Sequence, residues 1–164
     1  MEKTMKKSVI NTRVIAANAI IAALYAAWTV AIYPLAYGAI QARTSELMIF
    51  LAFYNRKYIP GLVIGCLIAN IPSSLGAYDI VFGTLATLIV VIAASKVHNR
   101  YLVALIGALV NGVIVGYELH LALGLPFLIN AVYVFVGEFF VLAIGAVIFG
   151  ALEKNETFKK YLSD

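Results

Sequence analysis

The chain has 164 residues, of which 63% are hydrophobic and 12% charged, with a mean hydropathy of +0.97 and a net charge of +4. A soluble domain of this size cannot hide so much apolar surface, so a soluble fold is excluded. In lipid every backbone polar group must be bonded within the protein, and the apolar residues lack the alternation of barrel strands. We therefore expect an all-helical integral membrane protein, with its clustered basic residues reporting topology instead of nucleic-acid binding.

Six apolar segments are predicted to form membrane helices, each span needing about 20 apolar residues. In chain order they cover residues 13–33, 40–54, 58–71, 80–97, 101–117 and 127–152. The first resembles a signal peptide, but further spans follow it, so we interpret it as a retained helix. The second and third are short, which favours tilted or partly embedded helices around a cavity. The chain is thus predicted to be a single transmembrane domain, 1–164, with short cytoplasmic tails at about 1–12 and 153–164.

Lysine and arginine predict the orientation of these helices. With the N-terminus in the cytoplasm, six spans return the C-terminus to the cytoplasm, and Arg43 is then the single basic residue on the outer side. The other eleven lie on the cytoplasmic side, as the positive-inside rule requires: Lys3, Lys6, Lys7, Arg13, Arg56, Lys57, Lys96, Arg100, Lys154, Lys159 and Lys160. The sequence therefore predicts a multi-pass protein with both termini in the cytoplasm.

Four acidic residues lie at the outer ends of the predicted helices or within them, namely Glu46, Asp79, Glu118 and Glu138. A charge at such depth is costly unless it is paired or hydrated, so each is a candidate functional residue. Four carboxylates against one arginine give the outer half a formal balance of −3 if all are ionised, which favours a cationic ligand. Glu138 is expected near mid-membrane, either as a protonated acid bonded to another helix or as a ligand group.

Spacing suggests a role for two of these acids. Arg43 and Glu46 are three residues apart and would share a helix face, either as a structural ion pair or as one wall of a pocket. Asp79 directly precedes the fourth predicted helix, where its carboxylate caps free N–H groups, contacts the ligand, or does both.

The fifth and sixth predicted helices contribute the other candidates. Glu118 follows Asn111 by seven residues, which brings both to nearly the same face if the helix continues. Asn111 either bonds another helix or contacts a heterocycle. Asn130 and Tyr133 precede Glu138 on its helix and offer polar atoms to a pocket, although Tyr133 also fits an interfacial aromatic belt. The predicted substrate-binding residues are Glu138, Glu118, Asn111, Asp79, Arg43, Glu46, Tyr133 and Asn130.

A stripe of small residues marks the first helix. Ala19, Ala23 and Ala27 follow at four-residue steps, which predicts either internal packing or a docking face for another subunit. The sequence has no phosphate-binding loop, Gly-x-Ser-x-Gly or metal-ligand cluster, and His98 and His120 fall on opposite sides of the membrane. We therefore predict no catalytic residue, no metal and no cofactor, and transport energy must come from a partner or an ion gradient.

Three stretches, QARTSE at 41–46, IAN at 68–70 and DIVFGT at 79–84, together with the alanine stripe, resemble the QueT family. These are queuosine-precursor transporters of the energy-coupling factor (ECF) type, and the resemblance covers essentially the whole chain. It implies an S-component fold in the bacterial plasma membrane and capture of a cationic deazaguanine such as preQ1. It also implies a membrane coupling (T) subunit docked on Ala19, Ala23 and Ala27, together with two cytoplasmic ATPases and no nucleic acid.

Three other functions stay open at this point. The chain is alternatively an S component for thiamine, biotin or riboflavin. A self-sufficient proton-coupled carrier with Glu138 as the proton site is a second alternative. An intramembrane enzyme is disfavoured, because the sequence lacks a nucleophile–base pair and a metal-ligand set.

Overall fold

The computed structural model describes residues 12–37, 41 and 43–163, none of which forms a strand. The described residues form eight α-helices: α1 Thr12–Ala31, α2 Tyr33–Ala36, α3 Phe50–Tyr54, α4 Ile59–Asn70, α5 Thr84–Ala94, α6 Arg100–Leu123, α7 Phe127–Leu152 and α8 Glu156–Ser163. Two 3₁₀ segments, Thr44–Ile49 and Arg56–Tyr58, precede α3 and α4. A π-helical turn, Asp79–Gly83, leads into α5.

The distribution of polar and apolar side chains is the reverse of a soluble protein. Within the described chain, α1, α6 and α7 are long and apolar enough to cross a membrane, and Thr44–Tyr54 and Asp79–Ala94 are shorter apolar segments. On α7, Leu128 is 73% exposed and Phe140 63% exposed, whereas Glu138 is buried. Apolar residues outside and polar residues inside are what a helix bundle in lipid requires.

Most predicted helices agree with the structure to within a few residues, and 127–152 coincides with α7. The fifth predicted helix was too short, since α6 runs on to Leu123 and ends where Gly124 takes the left-handed φ of 67°. There the N–H of Gly124 donates to the carbonyl of His120 at 3.0 Å, a common helix ending. The second predicted helix is divided between a 3₁₀ segment and α3, and its start at residue 40 lies outside the described residues.

Helices α6 and α7 are the longest described helices of the bundle and form a hairpin. Glycines allow their backbones to approach closely. A Cβ added to Gly116 would lie 2.7 Å from the Cα of Ala131, too close for any side chain. Small residues at such crossings are typical of membrane helices. On α1, Ala22 and Ala26 are buried, in the part of the bundle where α1 packs against α4.

Basic residues gather at one end of the bundle. The Nε of Arg56 donates to the carbonyl of Ser95 at 3.2 Å, and Arg100 pairs with Glu153 at 3.1 Å. The hydroxyl of Tyr54 donates to the same Glu153 carboxylate at 3.1 Å. The α3–α4 and α5–α6 connections therefore lie at the same end of the bundle as the C-terminal end of α7. Arg56 and Arg100 are thus on one side of the bundle, as the orientation predicted from the basic residues requires. The N-terminal lysines of that argument lie outside the described residues.

Candidate functional site

A buried polar cluster lies between the helices, with Arg43 at its centre. The Nη2 of Arg43 lies 2.8 Å from Oδ1 of Asp79, forming an ion pair that is buried on both sides. The Nη1 of Arg43 donates to Oδ1 of Asn70 at 3.0 Å, and Nη2 also donates to Oε1 of Gln41 at 3.1 Å. The cluster therefore ties together three separate parts of the chain through one guanidinium.

The local backbone is shaped to hold this guanidinium. Gln41 has a φ of 53°, a left-handed conformation that is uncommon for residues other than glycine. Gly83 ends the π-helical turn, and a Cβ added there would lie 2.9 Å from both Nη1 of Arg43 and Nδ2 of Asn70. Such irregular backbone, including single π-helical turns, occurs often at functional sites.

Tyr37 covers one side of the cluster. The ring centroid of Tyr37 lies 5.3 Å from the guanidinium carbon of Arg43, within the range of a cation–π contact. Its hydroxyl donates to the carbonyl of Ala69. Burial raises the pKa of Tyr37 to about 12.

Two further carboxylates, Glu46 and Glu138, belong to the same buried cluster. One oxygen of Glu46, Oε1, accepts hydrogen bonds from the hydroxyl of Tyr25 and from Oγ1 of Thr87, the second at 2.9 Å. The Oε1 of Glu138 accepts from the backbone N–H of Arg43 at 3.3 Å. Glu46 and Glu138 are both buried.

The cluster has more acceptors than donors. Oε2 of Glu46, Oε2 of Glu138 and both carboxylate oxygens of Glu118 are buried without a hydrogen-bond partner among the described residues. Glu118 faces Asp79, whose own oxygens are bonded to Arg43 and Ser73. Unbonded buried carboxylate oxygens are costly and uncommon, and they call for an explanation. Chemically, this arrangement suits a ligand that brings positive charge and several N–H donors.

The family model for the QueT transporter matches residues 15–154. The chain belongs to the QueT transporter family. The queuosine precursor transporter QueT of Lactococcus lactis subsp. cremoris (strain MG1363) is 33% identical over 167 aligned residues, which cover 92% of this chain and 97% of that relative. No solved structure matches the chain.

Membership in the QueT transporter family confirms the resemblance predicted from the three short sequence stretches. Together with the three long apolar helices, it makes the chain a membrane transport protein and not an enzyme. Each of the three stretches contributes a residue to the contacts of the guanidinium: Arg43 itself, Asn70 and Asp79.

Two of the alternatives predicted from spacing are wrong, namely the ion pair between Arg43 and Glu46 and the helix cap by Asp79. Arg43 is paired with Asp79 and not with Glu46, because Arg43 precedes the 3₁₀ segment and does not share a helix face with Glu46. Asp79 does not occupy the N-cap position of its helix. The helical path already begins at Ala77, and the Asp79 carboxylate is bonded instead to Arg43 and Ser73.

The remaining predicted binding residues divide into buried and exposed ones. Asn111 and Glu118 are both buried on α6, which continues through Glu118. Asn111 and Asn130 are buried, and each amide donates to a carbonyl of its own helix, at 3.1 and 2.8 Å. Tyr133 is 52% exposed on α7 and lies outside the buried group. Its exposure fits the aromatic-belt alternative.

Sequence reasoning missed four members of the cluster, namely Tyr25, Gln41, Asn70 and Thr87. All four are buried, and each bonds to Arg43 or to Glu46. A signal was present for some of them, because polar side chains inside apolar helices need a partner. Their partners lie far away in sequence, so spacing alone gives no indication of which residues they contact.

The alanine stripe of α1 is exposed. Ala19, Ala23 and Ala27 all lie on the outer face, so internal packing within this chain is the wrong alternative for them. An apolar groove of about 600 Å³ runs between α1 and α4, and its lining includes Ala19, Ala23, Ile64 and Ile68.

Proposed function

We propose that the chain is the substrate-binding S component of an ECF-type, ATP-driven importer that captures a preQ1-like queuosine precursor from outside the cell. The observation that carries this proposal is the buried cluster, which contains four acidic side chains and one guanidinium. Its surplus of acidic side chains and of unbonded oxygens matches a cationic ligand rich in N–H donors. The similarity to the Lactococcus relative, a queuosine precursor transporter, supports the same substrate class.

The ligand is proposed to lie among the buried polar residues of the cluster. PreQ1 carries an aminomethyl cation and a guanine-like edge with adjacent N–H donors, and both match carboxylate oxygens. The proposed binding residues are Glu138, Glu118, Asn111, Asp79, Arg43, Glu46 and Asn130. In this set Asp79 acts by holding Arg43, since its own oxygens are engaged.

The proposed assembly has six membrane helices in one domain, 1–164, in the bacterial plasma membrane, with both termini in the cytoplasm. Support comes from the basic residues gathered at one end of the bundle, opposite in charge to the acidic cluster. The T subunit is proposed to dock on the exposed alanines Ala19, Ala23 and Ala27, and two cytoplasmic ATPases supply the energy. Small exposed side chains allow the close helix contact that such docking needs.

Ligand binding is tested on the purified protein in mild detergent by isothermal titration with preQ1, thiamine, biotin and riboflavin. We expect saturable binding of preQ1 alone. Glu138→Gln should weaken preQ1 binding by about tenfold or more, because it removes a hydrogen bond to a charged group. Glu153→Gln is the matched control, because Glu153 pairs with Arg100 outside the cluster. Binding of a vitamin in place of preQ1 would refute preQ1 as the substrate and would still agree with an S component.

Coupling to ATP is tested in liposomes that contain the chain either alone or with a T subunit and two ATPases. We expect uptake of preQ1 only in the complex and only with ATP. Ala23→Trp should abolish that uptake and leave detergent binding unchanged, since Ala23 lies on the exposed face of α1. Uphill uptake by the chain alone under a pH gradient would establish a proton-coupled carrier instead.

Orientation is tested with a membrane-impermeant maleimide on intact cells. The single cysteine, Cys66, is buried, so labelling should report only on cysteines that are introduced. Ser74→Cys and Leu125→Cys should react from outside, and Asn155→Cys should react only after the cells are opened. Labelling of position 155 in intact cells would reverse the proposed orientation.

A further inference from the structure

The unbonded carboxylate oxygens of the cluster are of two kinds. Neither oxygen of Glu118 accepts a hydrogen bond from a donor group among the described residues, its carboxyl lies against that of Asp79, and the side chain is fully buried. Glu46 and Glu138 instead each have one bonded oxygen, Oε1, and one oxygen, Oε2, that lacks a partner. These carboxylates therefore offer a ligand different geometries, although each is an acid in the same cluster.

A carboxylate with two available oxygens matches a pair of parallel N–H donors. The guanine-like edge of a deazaguanine presents such a pair, on the ring nitrogen and on the adjacent amino group. Two parallel hydrogen bonds to one carboxylate give direction as well as affinity. Among the four acids of the cluster, Glu118 is the one whose two oxygens both lack a donor group among the described residues.

Two single oxygens from different carboxylates match an ammonium group. An ammonium is a compact charge with three donors that point in different directions, so it bonds acceptors on separate side chains. Glu138 is bonded to the backbone N–H of Arg43, three residues before Glu46, and Glu46 and Glu138 each have one oxygen without a hydrogen-bond partner among the described residues. An ammonium between them would bond both oxygens.

We infer that Glu118 recognises the paired N–H donors of the heterocycle, and that Glu46 and Glu138 together hold the ammonium of the ligand. The inference rests on the proposed function and assigns parts of the same site. It makes Glu118 the residue that selects a guanine-like ring, while Glu46 and Glu138 select its cationic substituent.

Three ligands separate the two roles. The first is 7-aminomethyl-7-deazaguanine. The second is its 7-cyano analogue, which keeps the N–H edge and has no cation. The third lacks the exocyclic 2-amino group, so it keeps the cation and loses one donor of the edge. Dissociation constants for the wild type and for Glu118→Gln, Glu46→Gln, Glu138→Gln and the control Glu153→Gln are measured by isothermal titration.

The wild type and Glu153→Gln should prefer the first ligand over each analogue by about tenfold or more. In Glu118→Gln, the preference over the ligand without the amino group should fall to about threefold or less, while the preference over the cyano analogue persists. In Glu46→Gln and Glu138→Gln, the preference over the cyano analogue should fall to about threefold or less, while the preference over the ligand without the amino group persists. Because each preference is a ratio within one variant, a reduced fraction of folded protein does not affect it.

Three results would overturn the assignment. The first is an interchange of the patterns of Glu118→Gln and the other two variants, and the second is an equal loss of both preferences in all variants. The third is competition by an inorganic cation such as Na⁺, in place of the ligand's ammonium, for the Glu46–Glu138 position. If the wild type binds none of the three ligands, the proposed function fails together with the assignment. Glu118→Asp, which keeps the two oxygens and displaces them, replaces Glu118→Gln if the latter does not fold.

Discussion

The ion pair between Arg43 and Asp79 leads to a prediction about unequal roles of its two members. At 2.8 Å, the Coulomb attraction is roughly 6 kcal/mol with an effective dielectric constant of about 20, and desolvation offsets much of it. Arg43 is the single cation among four buried carboxylates, whereas Asp79 is one of four anions. Loss of Arg43 therefore leaves four acids uncompensated, and loss of Asp79 leaves the cation with three acids.

We expect Arg43→Gln to lower the stability of the ligand-free protein by about 3–5 kcal/mol, the usual cost of removing one partner of a buried pair. Asp79→Asn should cost less, about 1.5–3 kcal/mol, because Asn70 and Gln41 still accept hydrogen bonds from the guanidinium. The double variant should cost no more than Arg43→Gln alone, because a neutral amide pair replaces the ion pair.

Cys66 provides the assay. It is the single cysteine and is fully buried, so a thiol-reactive fluorophore reports unfolding as the detergent-solubilised protein is heated. For a chain of this length, Arg43→Gln corresponds to a Tm lower by roughly 6–20 °C. Arg100→Gln is the control, since its pair with Glu153 is only partly buried and should be worth about 1 kcal/mol or less. An Asp79→Asn variant as unstable as Arg43→Gln, or a double variant with additive losses, would refute the reasoning.

Three further predictions concern single positions. Gly83→Ala should weaken preQ1 binding by about tenfold or more, because the new Cβ would lie 2.9 Å from Nη1 of Arg43 and displace the guanidinium; unchanged affinity in a titration would contradict this. Gly116→Ala should lower the stability by about 1–3 kcal/mol by forcing α6 away from Ala131, which the Cys66 labelling assay measures, and an unchanged Tm would show that the hairpin tolerates the methyl group. Tyr133→Ala should change preQ1 affinity by no more than about 0.5 kcal/mol, as its side chain is half exposed, and a larger loss would return Tyr133 to the binding site.

Much of the architecture was predictable because it depends on local sequence. The apolar runs that predicted helices at 13–33, 58–71 and 127–152 agree closely with α1, α4 and α7. A long apolar run in lipid has to be helical, since only a helix bonds its backbone groups within the segment. Glu46, Asp79, Glu118 and Glu138 could be identified in the same way, because buried acids in apolar helices stand out against their neighbours.

The sequence by itself therefore determined the helical membrane class, the family and the identity of the acids in the cluster. Only the tertiary structure decided that Arg43 pairs with Asp79, 36 positions along the chain, and that Glu46 bonds Tyr25 and Thr87. The same holds for the exposure of Tyr133. Spacing along one helix shows which residues share a face, but the partner of a buried charge is set by how separate helices pack against each other.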